Sequence, residues 1–148
     1  MEQALLAPTD PARWGSAATD LDVYAALADA ALAANDQAAL EQYAPMAHDS
    51  AQAVGHRLYQ AVALRALGVA DSLRGREAAA KDRLDQALDL FEALGARWQL
   101  ARTLALRARL SGGRGDEAIA RANYQRAAIL YESIGASADA AEAARAAS

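Results

Sequence analysis

Ala87-Leu88-Asp89-Leu90-Phe91-Glu92-Ala93-Leu94-Gly95 decides the fold. It reads as the last turns of an amphipathic helix, with Leu84, Ala87, Leu88 and Phe91 on one face and Gly95 as the stop. Forty positions on, the same phrase returns as Ala127-Ala128-Ile129-Leu130-Tyr131-Glu132-Ser133-Ile134-Gly135. Forty positions back, a fainter copy runs from Ala47 to Gly55, with Val54 where Leu94 and Ile134 stand, and one more step lands on Gly15. A second series, Gly75 and Gly115 with Asn35 in the matching place, falls midway between the first glycines. Glycine, and next asparagine, are the residues that tolerate left-handed backbone. The agreement at the turns therefore weighs more than the alanine matches, which come easily in this composition.

Working outward, each forty-residue unit divides into two helices. In the first unit Val23, Tyr24, Leu27, Ala28 and Ala31 have helical spacing over about 17–34, and a second helix follows over about 37–54. Pro45 falls inside that helix and is expected to kink or shorten it, because proline removes a hydrogen bond and crowds the preceding turn. In the second unit Leu58, Ala61, Leu64, Leu67 and Gly68 line a helix ending near Arg74, and Ala80, Leu84, Ala87, Leu88, Phe91 and Leu94 line its partner. The third unit has Trp98, Ala101, Leu104, Ala105 and Ala108, then Ala120, Tyr124, Ala127, Tyr131 and Ile134 over about 116–134. Ala138, Ala141 and Ala144 begin a terminal helix whose apolar side is nearly all alanine. Residues 1–16, with Pro8 and Pro11, read as a linker or extension, and 17–148 as three helix pairs plus a terminal helix. Phe91, Tyr124, Tyr131, Trp14 and Trp98 are expected in the core, because an alanine-rich array depends on its few large side chains.

Composition agrees with an all-α fold and restricts function. The chain has 148 residues, 54% hydrophobic, with a net charge of −4 and no cysteine. Thiol chemistry, disulfides and cysteine-based zinc sites are excluded. The acidic balance gives no overall attraction to nucleic acid or an anionic membrane. No apolar run approaches the roughly 20 residues of a membrane span, so a cytoplasmic location is expected. His48 and His56 stand eight apart across a helix boundary and do not specify a metal set. Gly112-Gly113-Arg114-Gly115 lacks the following Lys-Ser/Thr of a phosphate loop. Gly115 reads as a turn and Asp116 as the cap of the next helix. The serines have no histidine and carboxylate partners in a recognisable motif, so no catalytic residue, cofactor or metal is expected.

Gly68, Gly75, Ala80, Leu84, Ala87 and Leu88, repeated in part as Gly115, Ala120, Tyr124 and Ala127, resemble the helix–turn–helix signature of tetratricopeptide repeats. The usual 34-residue unit is here stretched to 40. That longer form is similar to the arrays of bacterial LuxR-type and maltose-activator-like regulators. Arg107 stands where the family has leucine, and Ala108 where it has glycine. The resemblance implies a right-handed superhelix of antiparallel pairs, with first helices lining a concave groove. Carried over by position, the groove residues are Asp22, Ala25 and Asp29; then Val62, Arg65, Val69 and Ser72; then Arg102, Leu106 and Arg109. This wall grades from acidic to basic, and its arginines suit a carboxylate or an acidic helix. The expected function is non-enzymatic binding of a protein or peptide within a bacterial signalling or transcriptional regulator. The alternative is self-association with a second copy; a small-molecule sensor has the least support.

Overall fold

The computed structural model describes residues 11–148, with side chains from Asp20 onward; the expected Trp14 core contact and residues 1–10 lie outside what is described. Among the described residues the chain is all-helical: α1 (Pro11–Ala34), α2 (Gln37–Val54), α3 (Arg57–Leu73), α4 (Glu77–Ala93), α5 (Arg97–Gly113), α6 (Glu117–Ser133) and α7 (Ser137–Ala146). Connections of two or three residues fold each helix back on the one before. Each packs against the next, and α1 also reaches α3. α1 is described from Pro11, ahead of the expected 17, and so takes in Gly15 as a helical residue.

The turns carry the periodicity. Asn35, Gly55, Gly75, Gly95, Gly115 and Gly135 all have positive φ, between 53° and 85°, and follow one another every twenty residues. At each turn the next residue donates its N–H to the carbonyl five residues back: Asp36 to Ala31, His56 to Ala51, Arg76 to Asp71, Ala96 to Phe91, Asp116 to Ser111 and Ala136 to Tyr131, at 2.9–3.0 Å. This bond closes a Schellman motif and satisfies a carbonyl the helix end leaves free. The N-termini are less uniform. Asp36 Oδ1 accepts from Ala39 N–H at 3.0 Å, and His56 Nδ1 from Tyr59 N–H at 3.4 Å. Asp116 stands at the N-cap of α6 but makes no capping bond. Its carboxylate lies 3.8 Å from Arg114 Nε instead, so the expected cap is corrected.

The helices differ in how completely they are enclosed. α4 buries a single stripe, Ala80, Leu84, Ala87, Leu88 and Phe91, as its periodicity requires. α3 is buried nearly all round, with Ala61, Val62, Ala63, Arg65, Ala66, Gly68, Val69, Ala70 and Asp71 inaccessible. It lies between α1, α2 and α4, so alanine and glycine allow three neighbours to approach one backbone. Gly68 marks the tightest point: a Cβ there would stand 2.8 Å from Leu84 Cγ.

Several expectations are revised. α2 runs unbroken through Pro45. Pro45 is exposed, so the Glu41 carbonyl that loses its partner is on the solvent side of the helix. Phe91 and Tyr131 are buried as expected, but Tyr124 is half-buried and Trp98 is 45% exposed. On α7 the buried alanines are Ala140 and Ala143, while Ala138, Ala141 and Ala144 are exposed, because the helix packs chiefly on α6 and turns its other sides outward. Arg107, standing where an apolar residue was expected, reaches Asp85 at 2.6 Å and Asn123 Oδ1 at 2.7 Å, linking α5 to both α4 and α6.

Candidate binding face

The candidate residues come from α1, α3 and α5, whose sides form one face with α7. At its centre two arginines share one carboxylate. Asp29 Oδ1 accepts from Arg65 Nη2 at 2.9 Å and Oδ2 from Arg102 Nη1 at 3.0 Å, so one side chain of α1 bridges α3 and α5. Arg65 is wholly buried. Its Nη1 donates to Gln99 Oε1 at 2.6 Å and Thr103 Oγ1 at 3.3 Å, while the Thr103 hydroxyl donates to the Gln99 carbonyl at 2.7 Å. Phe91 lies beneath, its ring centroid 5.4 Å from the guanidinium carbon. Nε of Arg65 is buried without a partner.

Burial pushes the Arg65 guanidinium below its ordinary pKa, and neighbouring Arg102 adds to that, while Asp29 opposes both. A guanidinium stays protonated in proteins, so the two arginines carry one positive charge more than Asp29 neutralises. The Arg102 guanidinium also sits 5.5 Å from the Trp98 ring centroid, within cation–π range.

Two clefts flank this cluster. One, of about 280 Å³, is lined by Leu32 of α1, Arg102, Leu106 and Arg109 of α5, Tyr124 and Tyr131 of α6, and Glu142 of α7. Burial raises the Tyr131 phenol above its usual pKa, with Asp139 contributing. The other, of about 220 Å³, holds Asp22, Asp29, Leu58, Tyr59, Val62 and Gln99. There Tyr59 O–H donates to Asp22 Oδ1 at 2.6 Å, which pushes the phenol pKa up.

The structure therefore gathers most of the expected residues but changes their roles. Asp29, Arg65 and Arg102 form one network, Asp22 joins α1 to α3, and Leu106 and Arg109 line the larger cleft. Arg65 and Val69, at 0% and 1% exposure, offer no surface to a partner and are corrected from groove residues to core. The expected gradient from acid to base is closed within the chain, because Asp29 is already paired with the bases. Gln99, Thr103, Tyr59, Tyr131 and Glu142 were missed. A signal for the polar ties was present: Asp29–Arg65, Asp22–Tyr59, Glu41–Arg74 and Glu77–Arg114 are separated by 36, 37, 33 and 37 residues. Three are one unit less about one helical turn and Glu41–Arg74 is one unit less two turns, offsets that bring side chains of successive units together.

Outside this face, two larger clefts open between even-numbered helices, with α3 and α5 as their floors. Several of their charges are also paired, Asp71 with Arg76 and Arg83 in the first and Asp85 with Arg107 in the second. Among the described residues no three His, Asp or Glu side chains converge as a metal set, and no helix is long and apolar enough to cross a membrane. Comparisons with protein-family models, with curated proteins and with solved structures find no match to this chain.

Proposed function

We propose that this chain is a tetratricopeptide-like, non-enzymatic protein-binding module in which the odd-numbered helices line a concave groove for a peptide or partner helix. The observation that carries this reading is the face itself: Arg102, Arg109, Trp98 and two tyrosines beside a cleft, on a series of helix pairs with a forty-residue period. Accessible Arg and Trp beside the half-buried Tyr124 is the composition that anchors protein interfaces. A preformed groove of this kind takes a helical or extended segment with little ordering of its own backbone. The lengthened unit, similar to that of LuxR-type regulators, supports a place within a bacterial signalling or transcriptional regulator.

The test is selection from a displayed peptide library with the full chain as bait. Selected peptides are expected to lose binding to Arg109→Ala and Arg102→Ala, and to keep it with Arg126→Ala on the outer side of α6. Peptides indifferent to the first two substitutions and sensitive to the third would place recognition elsewhere and refute the groove.

A second reading, self-association, is favoured by one observation. α6 exposes Ile119 at 54% and Ile129 at 67%, large apolar groups on a helix whose counterpart α4 has Ala79 and Asp89 at those positions. Sedimentation tests it: a concentration-dependent dimer abolished by Ile129→Glu supports it, and a monomer throughout removes it.

A further inference from the structure

We propose that α1 is an inhibitory strap, whose Asp29 fills from within the chain an anion site built by Arg65 and Arg102. The inference rests on the odd-helix face being the binding surface, and it names what that surface takes: a helix with carboxylates two turns apart and small residues between them.

The anion site is complete without α1. Arg65 is held by Gln99 and Thr103 of α5 and lies over Phe91 of α4. Arg102 is held against Trp98 on its own helix. Only the carboxylate is supplied by α1, and both of its oxygens are used. Two guanidinium groups around one carboxylate leave a positive site that an anion must occupy, because a buried charge without a counter-ion is costly.

α1 itself is bound as a ligand would be. Among its described side chains two carboxylates tie it to other helices, Asp22 to Tyr59 and Asp29 to Arg65 and Arg102. They stand seven residues apart, two turns along one helix face. Between them the buried residues are Ala25 and Ala28, and among the described side chains of α1 the large aliphatic ones that are buried are Leu21 and Leu32. The described part of α1 is thus fixed in register by two charged anchors, beside its packing on α2 and α3. A partner helix with the same acid spacing would make the same contacts once α1 swings away. Local opening of one element, at less cost than global unfolding, is ordinary protein behaviour.

The experiment uses the full chain and a synthetic peptide of residues 20–34, with Trp98 fluorescence as the readout. Asp29→Asn in the chain weakens the strap and should let the peptide bind in trans, about tenfold or more tighter than to the wild-type chain, since the competent fraction sets the apparent affinity. The same peptide carrying Asp29→Asn should not bind. Equal binding to both chains, or binding of both peptides alike, would overturn the proposal. Should the variant chain fail to fold, hydrogen exchange on the wild type decides: α1 amides exchanging ahead of those in α3–α6 support the strap, and α1 protection equal to that of α3 overturns it. Library peptides that bind at Arg102 and Arg109 with no gain from Asp29→Asn would remove the strap and leave the binding module standing. Strap opening with no library peptide captured at those arginines would remove both readings, because a strap inhibits only a face that binds.

Discussion

Replacing Gly68 by alanine sets two effects of opposite sign against each other. In a helix interior the change alone stabilises by roughly 0.5–1 kcal/mol, because glycine loses more backbone freedom on folding. Here the added Cβ would lie 2.8 Å from Leu84 Cγ, 3.1 Å from Leu84 Cδ2 and 3.2 Å from the Ala80 carbonyl oxygen. Leu84 is 3% exposed and cannot swing clear, and the Ala80 oxygen is helix backbone, so α3 and α4 must separate. Overpacking of this kind costs about 1–3 kcal/mol, and the net expectation is a loss of about 0.5–2 kcal/mol. Urea denaturation measures it, with Gly112→Ala as the control. At that position the Cβ would meet only Ala120 Cβ at 3.6 Å, and stability should hold or rise slightly. Coupling with Leu84→Ala gives a second check, since that truncation should cost less in the Gly68→Ala background than alone. A Gly68→Ala chain more stable than wild type, by the amount the control gains, would refute close approach of the two helices.

Phe91 is wholly buried among Ala61, Leu88, Leu104 and Tyr131, so Phe91→Ala should cost about 3–5 kcal/mol in a chemical melt. Arg65→Ala should cost a similar amount, because it empties the centre of the cluster. Arg65→Met, which keeps the volume and leaves Asp29 paired with Arg102, should stay within about 2 kcal/mol of wild type by thermal melting. Arg74, and then Gln37, hold the Glu41 carboxyl down from 4.5 to about 2. The pKa is lowered on folding, so the stability it contributes is present above pH 4.5 and lost as pH falls toward 2. In an acid titration Glu41→Gln should flatten that part of the curve and leave stability changes with pH above 5 unaltered.

The turns were legible because they obey a rule of backbone sterics that no packing can override. Gly75, Gly115 and Asn35 mark left-handed residues on sequence grounds, and each has positive φ in the structure. Phe91 was legible for a related reason: it is the chain's only phenylalanine, and on the helix's apolar stripe it has nowhere else to go. The candidate face was legible as a list of positions and not as chemistry. Position within a unit says which way Arg65 points, but not that α1 lies close enough to enclose it. Enclosure depends on alanines at 25, 28, 63 and 66, which read in sequence as helix formers without consequence. Trp98 failed in the opposite direction. Aromatic size suggested core, while its place at the start of α5, one turn before Arg102, leaves it on the rim.

The even spacing of the left-handed residues also limits how this molecule can change in length. Deleting one residue within a helix would turn everything after it by about 100°, moving the next glycine off the place where the chain must reverse and facing Phe91 or Tyr131 toward water. Inserting a whole unit of forty would leave every reversal, stripe and junction where its neighbours expect it. Such a chain tolerates growth by duplication far better than growth by single steps.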